Sequence, residues 1–199
     1  MIGPTMPQEI EAKFLYTNHD AIRQQLTSLS ATCEQPMRLM RRVTFDNAAM
    51  KAKNGWLRVR DEGDKVTVTY KQVNQLSADG VREIETTVGS FDDMVAIFRA
   101  AELAGGSFQE SKRETWRLGE VEVVLDEWPW LAPYIEIEGP SEAAIREVAG
   151  QLDLDWAQAK FGDVMVAYRA QYPHLNETDT VGDLPEVRFG APLPELLQA

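Results

Sequence analysis

Residues 8–14 read Q-E-I-E-A-K-F, and the fold turns on how they are taken. Glu9, Glu11 and Lys13 alternate with Ile10, Ala12 and Phe14, the period-two pattern of a strand with one apolar and one polar face. Two acids and a base on one face describe either a strand lying against solvent or the wall of a polar site. The strands that follow bear on that choice.

The alternation recurs. M-R-L-M-R-R-V-T-F-D (37–46), G-W-L-R-V-R (55–60), D-K-V-T-V-T-Y-K (64–71) and V-R-E-I-E-T-T-V (81–88) all place aliphatic side chains on one face and charges on the other. Asp61-Glu62-Gly63 is hairpin chemistry, and Leu118-Gly119 joins a second hairpin from 107–118 and 120–128. P-Y-I-E-I-E-G (133–139) supplies a last strand, so that residues 8–16 bring the expected number to about eight. Helical spacing follows Asn18-His19-Asp20 to about Leu29, and Ser90 to about Ala104. Two more helices are expected, from Ser141 to about Leu152 and over Phe161–Tyr172. Residues 174–199 are proline-rich and lack periodicity, which divides the chain into a domain over 1–173 and a C-terminal tail. The fold class is α+β with an eight-stranded antiparallel sheet, and closing it into a barrel would turn the charged faces inward. An antiparallel sheet with one wet face gives the same alternation, and period alone does not separate the two.

Composition narrows the function. The chain has 199 residues and a formal net charge of −12, which argues against general nucleic-acid binding but leaves room for a small anionic ligand held by a local basic cluster. No apolar run approaches the ~20 residues of a membrane-spanning helix. The start, M-I-G-P-T-M-P-Q-E, lacks the basic and apolar regions of a secretory signal. A single cysteine, Cys33, excludes an internal disulfide framework, is expected to be a small buried hydrophobe, and fits a cytoplasmic location. Neither a phosphate-binding G-x-x-x-x-G-K-[ST] nor a G-x-G-x-x-G or H-E-x-x-H motif is present.

The kinds of charge are informative. Glu9 and Glu11, and again Glu136 and Glu138, are carboxylates at i and i+2, a spacing that points both at one hard divalent cation; Asp126 lies on a neighbouring strand. Arginines and lysines on other strands supply donors for phosphate oxygens. A metal–polyphosphate ligand requires both sets if the charged faces converge.

E-I-E-A-K resembles the ExExK signature of the CYTH family, the triphosphate tunnel metalloenzymes. In the same order as in that family follow V-T-F-D-N, L-R-V-R, T-V-T-Y-K, R-E-I-E-T, K-R-E-T-W-R-L-G, V-V-L-D-E-W-P-W-L-A-P-Y-I-E-I-E-G and A-K-F-G-D-V-M-V-A-Y, a resemblance covering about residues 7–173. It implies an eight-stranded antiparallel tunnel with a charged lumen and helices outside. It further implies Mg²⁺ or Mn²⁺ bound by Glu9, Glu11, Asp126, Glu136 and Glu138, and a triphosphate gripped by Lys13, Arg58, Arg60, Lys71, Arg113 and Lys160. Glu83 and Glu85 would orient these basic groups. Catalysis would fall to Glu9, Glu11, Lys13, Arg58, Lys71 and Arg113. Ser111 departs from the pattern, since the family often has lysine there. The implied activity is metal-dependent triphosphate hydrolysis by a monomer or homodimer acting on a small molecule. The alternative is a class IV adenylate cyclase, which uses the same constellation on ATP. A second alternative is a noncatalytic polyphosphate- or nucleotide-binding module; it would need mainly the bases, so that the intact acidic set argues against it.

Overall fold

The computed structural model describes residues 8–199; up to residue 7, the stretch read for a secretory signal lies outside them. In chain order the strands are β1 (Gln8–Glu9), β2 (Glu11–Phe14), β3 (Thr32–Asp46), β4 (Gly55–Asp61), β5 (Val66–Val73), β6 (Val81–Val88), β7 (Ala104–Leu118), β8 (Val121–Glu127), β9 (Tyr134–Glu138) and β10 (Glu186–Val187). The helices are α1 (His19–Ser28), α2 (Ala48–Lys51), α3 (Phe91–Ala100), α4 (Glu142–Gln151) and α5 (Met165–Gln171). The architecture is α+β, with one large sheet ordered β1-β6-β5-β4-β3-β7-β8-β9-β2 and β10 paired to β7. Every ladder on that path is antiparallel; β10 joins in parallel.

Two expectations about strand pairing are corrected. The single strand predicted over 8–16 is two short strands parted at Ile10, and they pair with opposite ends of the sheet: Glu9 with Val81 of β6, Glu11 with Glu138 of β9. No ladder joins β1 to β2 among the described residues, so the hydrogen-bonded path is open, with its two ends consecutive in the chain. The second correction is the tenth strand. On one side of β7, pairing with β8 starts only at Lys112, and β10 takes the uncovered edge at Phe108 and Gln109.

Local chemistry explains the element ends. The side chains of Asn18, Ser90 and Ser141 accept backbone N–H bonds at the starts of α1, α3 and α4. The helix predicted over 161–172 starts only at Met165, because Gly162 sits at φ +112°. Strand β7 begins at Ala104, earlier than the 107 expected, with a bulge opposite Thr44/Phe45. Gly105 there has φ +94°, and a Cβ would come within 2.9 Å of the Thr44 carbonyl oxygen. Cys33 is exposed, contrary to the expected burial, because it lies in the exposed N-terminal part of β3, where the pairing with β7 shifts register.

The apolar face of the sheet is covered by helices. Val123, Leu125, Ile135 and Ile137 pack with Ile22 and Leu26 of α1 and Ile145 and Val148 of α4. Val43, Phe45 and Val59 pack with Phe91 and Val95 of α3. A third cluster joins Trp128, Tyr134 and Tyr168 to Val181, Val187 and Leu197 from beyond residue 173. Among the described residues no helix is long and apolar enough to cross a membrane.

Candidate active site

With one face largely apolar and covered, period two sends the charged residues at the alternate positions of the strands to the other side. There they line a cavity of about 2040 Å³. All the expected site residues reach it: Glu9, Glu11, Lys13, Arg58, Arg60, Lys71, Arg113, Asp126, Glu136, Glu138 and Lys160. The charged faces therefore border one common space. Lys160 differs from the rest: its backbone bridges Lys13, but its side chain is exposed on the cavity wall.

Acids and bases interlock across strands. Lys13 Nζ lies 2.7 Å from Glu11 Oε1 and 3.2 Å from Glu136 Oε1. Arg113 donates through Nε to Asp126 Oδ1 at 2.7 Å and through Nη2 to Glu136 Oε2 at 2.7 Å. Lys71 Nζ sits 2.8 Å from Glu9 Oε2 and 2.5 Å from Glu83 Oε2. Arg58 Nη2 donates to Glu85 Oε2 at 3.3 Å, and Thr69 donates to the same oxygen at 2.7 Å. Glu83 and Glu85 thus lie against the basic groups they were expected to orient.

The network polarises the site. Burial raises the Glu138 carboxyl, the neighbouring Glu9, Glu11 and Glu122 raise it further, and it ends at about 8. Burial would also raise Glu136, but Lys13 and Arg113 outweigh it and hold that carboxyl well below the usual range. One end of the cavity is therefore acidic and crowded, with Glu138 outside any ion pair among the described residues.

Arginines crowd another region. Arg42 Nη2 donates to Ser111 Oγ, and its guanidinium lies 4.5 Å over the Trp128 ring. Burial, then Arg58, Arg60 and Arg113, push its pKa well below the ordinary value, while burial and Arg60 bring Arg58 down to about 10. Arg42 pairs with Arg60 across the β3–β4 ladder. The sequence reading did not single out Arg42. Its signal was present in the alternation Arg38, Met40, Arg42, Thr44, but the adjacent Arg41 obscured which arginine faces inward. Ser111, the departure from the family pattern, is the residue that receives Arg42.

The chemistry of the acidic set suits a hard divalent cation, since it offers carboxylate oxygens and includes a group, Glu138, that like charges crowd. Among the described residues no three His, Cys, Asp or Glu side chains are gathered closely enough to hold an ion, because Glu9, Glu11 and Glu136 face lysines or Arg113 instead.

The fold and cavity define an antiparallel sheet protein with a polar, ion-paired interior. The chain belongs to the CYTH domain family, which it matches over residues 7–157. Its fold is similar to that of the PH1012 protein from Pyrococcus horikoshii (TM-score 0.69, 20% identity, covering 80% of this chain and 98% of that one). It is also similar to a Vibrio parahaemolyticus protein assigned as an adenylate cyclase (TM-score 0.70, 15% identity, covering 82% and 98%). A Hippeastrum protein assigned as an adenylyl cyclase, with a dominant triphosphatase activity, matches at TM-score 0.54 and 18% identity, covering 82% of this chain and 96% of its own. No curated protein matches the chain.

Proposed function

We propose that this protein is a divalent-metal-dependent triphosphatase and that its sheet works as a closed tunnel, with residues 8–14 as the seam. The observation that carries this reading is the meeting, in one cavity, of buried cations (Lys13, Arg42, Arg58 and Arg60) with a crowded acidic group around Glu138. Burying charge of both signs is costly, and perturbed ionisable groups gathered in one cleft are a mark of functional sites.

Lys13, Arg58, Arg60, Lys71 and Arg113 would neutralise the triphosphate, arginine through paired N–H donors and lysine as a point charge. Lys160, exposed on the cavity wall, would join them as the chain arrives. Glu9, Glu11 and Glu138 would hold Mg²⁺ or Mn²⁺, with Asp126 and Glu136 beside them. Such an ion supplies charge neutralisation at phosphate oxygens and a more acidic water. The carboxylates would orient the attacking water by accepting its hydrogen bond, while the bases stabilise charge on the departing phosphate.

The test is incubation of the purified protein with tripolyphosphate, thiamine triphosphate and ATP, each with Mg²⁺ or Mn²⁺. Orthophosphate release is the expected result. Cyclic AMP with pyrophosphate would replace the reading by a class IV adenylate cyclase. Saturable binding without turnover would reduce it to a polyphosphate-binding module.

A further inference from the structure

The residues after Pro173 lie outside the matched family domain, yet they return to the sheet and reach the cavity. Period two turns Trp128 and Tyr134 inward together with Asp126 and Glu136, and inward side chains at an open end would be wetted. They are instead 5% and 1% exposed, packed with Met165 and Tyr168 of α5 and with Val181, Val187 and Leu197. Ser107 and Gln109 of β7 are buried at the same end, where Val187 pairs with Gln109. Glu177, Thr178, Thr180 and Asp183 line the cavity there. The segment is tied down. Arg169 donates to the carbonyls of Asn176, Glu177 and Asp179, Thr180 Oγ1 accepts from the Gly182 N–H, and the Phe108 N–H donates to the Pro185 carbonyl. Beside it Leu76 leans on Gly162, where a Cβ would come within 2.9 Å of Leu76 Cδ2, so the 74–80 loop meets the chain entering α5.

Strand β7 measures the distance to the other end. Cys33 pairs with Trp116, seven residues beyond Gln109 and about 23 Å away along an extended strand. There Thr32, Cys33 and Glu34 line the cavity and are exposed.

We propose that residues 174–187 wall off the Trp128 end of the cavity, so that small ligands enter and leave by the Cys33 end. The inference takes its ligand from the triphosphate reading and adds the route by which that ligand exchanges. A wall made of a paired strand, an apolar cluster and bonded turns opens only by local unfolding, whereas the Cys33 rim stands open to water.

An obstacle on the route slows entry and exit by the same factor and leaves affinity unchanged, because it raises the barrier without touching either end state. Cys33 is the chain's single cysteine, so the full chain can be labelled there with a large polyethylene-glycol maleimide. Stopped-flow tryptophan fluorescence with tripolyphosphate, in chelator, should then show association and dissociation both slowed roughly 10-fold or more, with Kd within about threefold. N-ethylmaleimide on the same thiol adds little bulk and should leave both rates near those of the unlabelled chain. In Cys33→Ser/Thr178→Cys the large label sits on the wall instead, and both rates should stay within about threefold. Unchanged rates with the large Cys33 label would overturn the route, as would slowing by the label at position 178. Weaker affinity with both Cys33 labels would assign their effect to the structure of the site and also overturn it. If the unlabelled chain binds no tripolyphosphate, the triphosphate reading fails and the route with it; binding whose rates ignore the Cys33 label overturns the route alone.

Discussion

Lys13 Nζ lies 2.7 Å from Glu11 Oε1, two residues along the same strand, and both side chains are almost wholly buried. The ammonium also reaches Glu136 on the adjacent strand, so one cation holds two acids in place.

Removing that cation should be costly. Lys13→Met leaves Glu11 buried without its partner and Glu136 with Arg113 alone, and a loss of about 3–5 kcal/mol of stability is expected. Adding Mn²⁺ should return part of it if the same carboxylates bind a divalent ion. Urea unfolding with and without Mn²⁺ measures both effects, and a metal-insensitive variant would count against the acidic set as an ion site.

Glu11 itself is expected to be needed for turnover. Glu11→Gln keeps the shape but removes the charge, and metal-dependent phosphate release should fall roughly 10²- to 10³-fold, the usual cost of one electrostatic contact in such a site. Full metal-dependent turnover in this variant would sink the site assignment.

Acid should loosen the contact between α1 and β7. Burial would raise the Glu114 carboxyl, but bonds from Arg23 and the Trp116 N–H bring it below 4.5. A folded-state pKa below the unfolded one stabilises above the unfolded value, and that contribution is lost as pH falls through the folded pKa. The urea midpoint should therefore drop below about pH 4.5, the unfolded carboxylate range. Arg23→Gln should shrink the difference between midpoints at pH 7 and pH 4; an unchanged difference would remove this pair as a contributor.

Residues beyond 173 should unfold together with the rest. Leu197 is 2% exposed and packs in the cluster that holds Trp128 and Tyr168, while Arg169 donates to the backbone carbonyls of Asn176, Glu177 and Asp179. Leu197→Ala is expected to cost about 2–5 kcal/mol in a single transition. No change in the main transition would show that the tail is an independent appendage.

Much of this was legible in the sequence because strands with a covered face enforce strict alternation. Val123, Leu125, Ile135 and Ile137 could be assigned to the core, and Glu136 and Glu138 to the opposite side, from period two alone. Asn18 and Ser141 announced their helices by capping chemistry. What stayed hidden lacked a local pattern. The alternation runs unbroken through Ile10, so the parting of β1 from β2 shows only in which partners they choose. Strand β10 is two residues long with one inward apolar side chain, Val187, too little for any period to register. Arg42 was masked by its neighbour Arg41.

The placement of β1 and β2 also sets a timetable for assembly. Residues 8–14 are the first part of the described chain to be synthesised, yet Glu11 pairs with Glu138 and Lys13 with Glu136, over 120 residues later. Glu11 and Lys13 therefore wait, without their strand partner, until β9 has emerged, whereas Glu9 needs only β6. A ribosome-bound fragment ending before β9 carries the buried arginines of β4 but not the completed acidic group. The cavity can hold cations and anions in opposition only once nearly the whole domain exists, so no partial chain should turn over a substrate.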